Sequence, residues 1–126
     1  MKSAKAMRVA GFTLVEIMIV VAIAGLLAAI AIPSFVHART KSQATACINN
    51  LRQIECAVQQ VAIEKGKHVG DNVNWPDDIT AYIKLDSEGN IPGCPAGGNY
   101  SLQAVGIIPQ AICSLGNNVN PPHVLP

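Results

Sequence analysis

The 126-residue chain is long enough for one domain; half its residues are apolar, and many of these are crowded between positions 12 and 36. Beyond position 36, six basic residues stand against seven acidic ones, so there is no basic footprint for nucleic acid and the charge points to no partner. With Trp75, Tyr82 and Tyr100 as its only aromatics, the segment 37–126 can bury a limited core and calls for support from a disulfide, a metal or neighbouring subunits.

Lys2, Lys5 and Arg8 precede the apolar span with no acid among them, and Glu16 is the one formal charge between Phe12 and Val36. As a helix, these 25 residues rise about 37 Å, enough to cross a bilayer. The basic flank would hold the N-terminus in the cytoplasm and send the rest outward. A cleaved secretory signal has a shorter apolar core and small residues at its cleavage site, whereas here the run continues through Gly25–Ile30. An ordinary membrane anchor leaves Glu16 unexplained. An ionisable side chain within a span is costly and tends to be paired, so it marks a candidate functional site.

"GFTLVE" after a short basic leader, then an apolar helix with Gly25 and Pro33, resembles the N-terminus of type IV pilins and type II secretion pseudopilins, densely so over residues 8–35. The resemblance implies that residues 1–11 are a leader and that Gly11 is its last residue, cut on the cytoplasmic side by a membrane-embedded prepilin peptidase. Phe12 becomes the new, N-methylated terminus, and Glu16 the acidic fifth residue of the mature chain. It also implies the partners: further copies of the chain or other pilins, the peptidase, and the inner membrane with its assembly platform. Glu16 then pairs with the α-amine of Phe12, its own or a neighbour's. A subunit docked out of register would leave that carboxylate unpaired at a cost of several kcal/mol, which makes Glu16 a register key. Pro33 lacks the N–H that would bond the carbonyl of Ala29, and Gly25 weakens the helix further. A simple kink and a segment that unwinds during assembly both remain open for this pair.

After Pro33 the helix is expected to continue to residue 65. Ala44, Cys47, Leu51, Ile54, Val58 and Val61 recur at steps of three and four and form one apolar stripe, with Gln43, Asn49, Asn50, Gln53 and Gln60 on much of the remainder. Gly66 reads as the glycine just past the helix end. "NWPDDITAYIK" predicts a short helix capped by Asn74, with Ile79, Tyr82 and Ile83 as its apolar face. "NYSLQAV" alternates, and "QAICS" is its expected hairpin partner. The tail "NNVNPPHVLP" shows no periodicity. "CINNLRQIECAVQQ", "CPAGGNYSLQAVG" and the ending His-x-Leu-Pro resemble a subgroup of pilin-like sequences. Cys56 and the stretch "GIIPQAICSLGNNVNPP" depart from that pattern. The fold class expected is α+β: a long N-terminal helix, membrane-spanning over 12–36 and amphipathic beyond, packed on a small antiparallel sheet with a short helix in a head spanning 37–126.

Among the cysteines, Cys47 and Cys56 are nine residues apart on one helix, about 13.5 Å along its axis and on opposite faces, too far to bridge. Cys94 and Cys113 flank the hairpin, and the pairing expected is Cys94–Cys113. Cys47 reads as a small core residue, and Cys56 faces solvent or a neighbour. No C-x-x-C or Cys/His spacing suggests zinc. Calcium is the one metal that "DSEGN" and Asp77–Asp78 bring into view, but no full ligand set is visible and no cofactor is expected. His37, His68 and His123 are scattered, with solvated or capping roles, and no nucleophile–base pair or phosphate loop points to an enzyme. The reading is therefore a filament subunit with its head outside the cytoplasm, first in the inner membrane and then in a periplasmic or cell-surface filament. A pilus subunit stands first, and a secretion pseudopilin is the near rival. A membrane-anchored binding module that never polymerises is the alternative of another class.

Overall fold

A computed structural model describes residues 11–126; Lys2, Lys5 and Arg8 of the expected leader lie outside the described residues. The order of elements is one long helix, α1 (Leu14–Glu64), then strands β1 (Tyr100–Leu102) and β2 (Ala111–Cys113). This is the α+β arrangement read from the sequence. The chain divides into two compact units at Val36/His37.

In the first unit, Thr13 starts α1. Its Oγ1 accepts the backbone N–H of Glu16 at 3.2 Å, which satisfies one of the donors a helix leaves free at its N-terminus. Thr13-x-x-Glu16 is the sequence pattern of a capping box, and a carboxylate in the first turn also suits the positive end of the helix dipole. The helix runs without interruption through Gly25 and Pro33, and every residue from 11 to 39 is exposed.

In the second unit, the remainder of α1 buries Ala44, Cys47, Leu51, Ile54, Ala57, Val58 and Val61, the expected stripe with Ala57 added. Val73, Ile79, Val105 and Ala111 close over it, with Tyr82, Ile83, Leu102 and Leu115 packed at the margin. The helix ends where Gly66 was expected to end it. Gly66 takes φ +60°, the N–H of Lys67 reaches the carbonyl of Ala62 at 2.8 Å, and that of Gly66 reaches Ile63 at 3.4 Å. This is the paired 6→1 and 5→2 closure of a helix whose C′ residue is left-handed.

The short helix expected at 74–84 is replaced by consecutive turns. Isolated i→i−4 bonds, Asp78 N–H to Asn74 and Thr80 N–H to Pro76, alternate with shorter i→i−3 closures, and local side chains add to them. Asp78 Oδ2 accepts the N–H of Asn74 at 3.1 Å, Thr80 Oγ1 donates to the carbonyl of Asp77 at 3.1 Å, and Ile79 N–H bonds Pro76 at 3.0 Å. The apolar positions keep their assignment even so: Ile79 is fully buried, and Tyr82 and Ile83 are half-buried. The hairpin forms as expected, with Tyr100 opposite Cys113, Ser101 opposite Ile112 and Leu102 opposite Ala111.

Lys65 Nζ pairs with Asp78 across the helix end. That bond, aided by the Asn74 N–H, holds the Asp78 carboxyl below its ordinary 3.8. A carboxyl depressed in the folded state stabilises fully above the unfolded value, and that contribution fades as pH falls through the folded one. Asp78→Asn should therefore be less stable than wild type at neutral pH. In denaturation curves taken across the acid range, the difference should begin to shrink as pH falls past 3.8 and disappear only at the lower pH where the folded carboxyl is protonated.

Candidate functional site

Two groups of residues stand out, one in each unit. In the first, Gly11 and Phe12 precede the helix, and Phe12 is exposed. Glu16 sits in the first turn, within a surface that is otherwise apolar all round: Leu14, Val15, Ile17, Met18, Ile19 and Val20 are all exposed. A helix apolar on every face has to be covered by lipid or by other helices. It is also long and apolar enough to cross a membrane. A Cβ added at Gly25 would meet nothing within 4 Å, so this position leaves a shallow, uncrowded patch on the helix surface. Thr13 is the residue that sequence reading passed over; its signal was the Thr-x-x-Glu spacing before an apolar run.

In the second unit, Cys47, Cys94, Cys113 and His123 converge, all buried, with their ligating atoms within 4.8 Å of one another. Each arrives by its own local device. On α1, Gln43 and Asn50 lie one turn to either side of Cys47. Gln43 Nε2 donates to the carbonyl of Pro95 and Asn50 Nδ2 to that of Gly93, both at 3.2 Å. These two bonds clamp the residues flanking Cys94 and set it opposite Cys47. Cys113 is fixed by the hairpin register and by Ser114 N–H to the carbonyl of Asn99 at 2.9 Å. His123 is held by a bridge to Gly116, its N–H bonding the Gly116 carbonyl at 2.8 Å. Its Nδ1 lies 3.3 Å from Cys94 Sγ, and the Tyr100 hydroxyl donates to Cys47 Sγ at 3.4 Å.

Burial pushes the Cys47 thiol up to about 12, against the pull of the Tyr100 hydroxyl. Burial also opposes ionisation of Cys94, yet the N–H groups of Ala96 and Gly98, with the neighbouring thiols, hold it below its ordinary value. The four cysteines are free thiols in this structure. Cys94 and Cys113, the pair expected to bridge, do meet, and Cys47 and His123 share their pocket. The solvated or capping role expected of His123 is corrected: it is 3% exposed and belongs to this cluster. Cys56 is exposed, as read. The acidic turns use their carboxylates locally. Asp86 Oδ1 accepts the N–H groups of Glu88 and Asn90, both at 2.9 Å, and Asp78 is engaged as described above.

An apolar helix preceded by Gly-Phe-Thr-Leu-Val-Glu and followed by a small α+β head defines a class of helix-anchored proteins. Residues 6–32 match the family described as "Prokaryotic N-terminal methylation motif". The chain is 46% identical over 120 residues to fimbrial protein Q of Moraxella bovis, covering 87% of this chain and 71% of that protein. It is 42% identical over 84 residues to a fimbrial protein of Pseudomonas aeruginosa, covering 63% of this chain and 54% of that one. To the type IV major pilin protein PilA of Myxococcus xanthus it is 45% identical over 58 residues, covering 46% and 26%. The chain thus spans about half or less of the length of several relatives it matches. No solved structure matches. The chain belongs to the type IV pilin family.

Proposed function

We propose that this chain is a structural subunit of a type IV pilus-like filament, polymerised through its N-terminal helix, and that it has no catalytic role. The observation that carries this is the exposed apolar surface of residues 12–36 with Glu16 as its single charge, directly behind Gly11–Phe12. Such a surface suits two successive environments, the bilayer and then the core of a helical bundle. The relatives' names, fimbrial protein and major pilin, support the pilus reading over the secretion pseudopilin and over a module that never polymerises.

On this reading, residues 1–11 are a leader removed by a prepilin peptidase, and Phe12 is then N-methylated. The segment 12–36 is the assembly helix, in which Gly25 and Pro33 lend the adaptability that passage from bilayer to filament requires. The head, 37–126, lies outside the cytoplasm. A bulky side chain at the last leader position obstructs cleavage, so Gly11→Val should leave a leader-bearing protein in the membrane. Intact-mass measurement checks it in a host that carries the peptidase. Wild type starting at Phe12 and Gly11→Val starting at Met1 are expected, whereas wild type still starting at Met1 would overturn the reading.

A further inference from the structure

We propose that Cys47, Cys94, Cys113 and His123 form a structural zinc site that ties the head of the protein together. Three sulfurs and one imidazole within 4.8 Å of each other are the Cys3His donor set that Zn2+ takes in closed tetrahedral sites. With Zn–S near 2.3 Å and Zn–N near 2.0 Å, the ligand atoms of such a site stand roughly 3.5–3.8 Å apart. The observed cluster, its atoms within 4.8 Å of one another, is at most about 1 Å wider than that. The donors are soft, and no carboxylate joins them, which disfavours calcium and magnesium.

The Tyr100 hydroxyl donates to Cys47 Sγ at 3.4 Å, an outer-layer donor of the kind that orients a ligating thiolate. A Cβ at Gly98 would lie 2.6 Å from Cys113 Sγ, so only glycine lets the loop approach that sulfur. The four ligands come from α1, the loop before β1, the end of β2 and the tail, so one ion would join every part of the head. A disulfide would use two sulfurs and leave a third thiol and a buried imidazole without a role. Zinc uses all four. Binding forms three Zn–S bonds and one Zn–N bond and releases three thiol protons, so affinity should weaken as pH falls.

The test uses the full-length chain purified in detergent without chelator, with zinc measured by elemental mass spectrometry and cysteines mapped without reduction. About one zinc per chain is expected, with Cys47, Cys94 and Cys113 unbridged and protected from alkylation until a chelator is added. Cys56→Ser should keep the zinc; His123→Ala and Cys47→Ser should lose most of it. Because a ligand variant that loses zinc could simply be misfolded, Co2+ substitution of the wild type gives a second readout. Thiolate-to-cobalt charge transfer with tetrahedral visible bands is expected. A disulfide between any two of the three cysteines would overturn the proposal. So would no uptake of added Zn2+ by free thiols, undiminished zinc in both ligand variants, or an octahedral cobalt spectrum.

Discussion

Ile54→Ala should cost the head about 3 kcal/mol of stability, within the roughly 2–5 kcal/mol range for truncating a large aliphatic side chain in a core. Ile54 is fully buried at the centre of the α1 stripe, in one cluster with Leu51, Val58 and Ile79. Alanine there removes apolar contact and leaves a void that a core this small cannot close. Small domains hold only a narrow margin of stability, so such a loss moves the unfolding midpoint far. Ile63→Ala is the matched control: Ile63 is on the same helix but 81% exposed, and alanine favours the helix, so a change within about 0.5 kcal/mol is expected. Denaturation of the full chain in detergent, followed by fluorescence of Trp75, its single tryptophan, reports on the head. Equal midpoints for the two variants would show that the stripe is not the core.

Glu16→Ala should reduce filament yield at least about tenfold, the order expected when an ionised group is left unpaired in an apolar bundle. Membrane insertion should be unchanged or better, since the only charge in the span is gone. The helix start should survive as well. Thr13 Oγ1 binds the backbone N–H of position 16, which alanine retains. Loss of filaments from a protein that inserts and starts its helix normally would separate register from local folding. Immunoblots of sheared-filament and membrane fractions give the comparison, and wild-type filament yield from Glu16→Ala would defeat the register role.

What the sequence disclosed follows from where its periodicity was strong. The steps of three and four from Ala44 to Val61 located the buried stripe, and Gly66 located the helix end, because each reports a local constraint. The hairpin was legible from alternation. The turn region 75–82 was not: its apolar spacing is helical, but the i→i−4 bonds of Asp78 and Thr80 alternate with i→i−3 bonds at Ile79 and Tyr82, so no continuous ladder forms. The cysteine–histidine cluster was hidden for a different reason. Metal motifs are recognised when ligands are close in sequence, whereas Cys47, Cys94, Cys113 and His123 are joined only by clamps such as Gln43–Pro95 and Asn50–Gly93. The outlying signal was His123, a polar ring in an apparently formless tail. Its burial becomes visible only once Gly116 and His123 are bridged.

The most direct measurement is made on material sheared from producing cells, examined by electron microscopy and by intact-mass and N-terminal peptide analysis of the same fraction. Thin filaments are expected, composed of this chain beginning at an N-methylated Phe12. An absence of filaments, with the chain confined to the membrane fraction and still beginning at Met1, would contradict a processed subunit that polymerises through its helix.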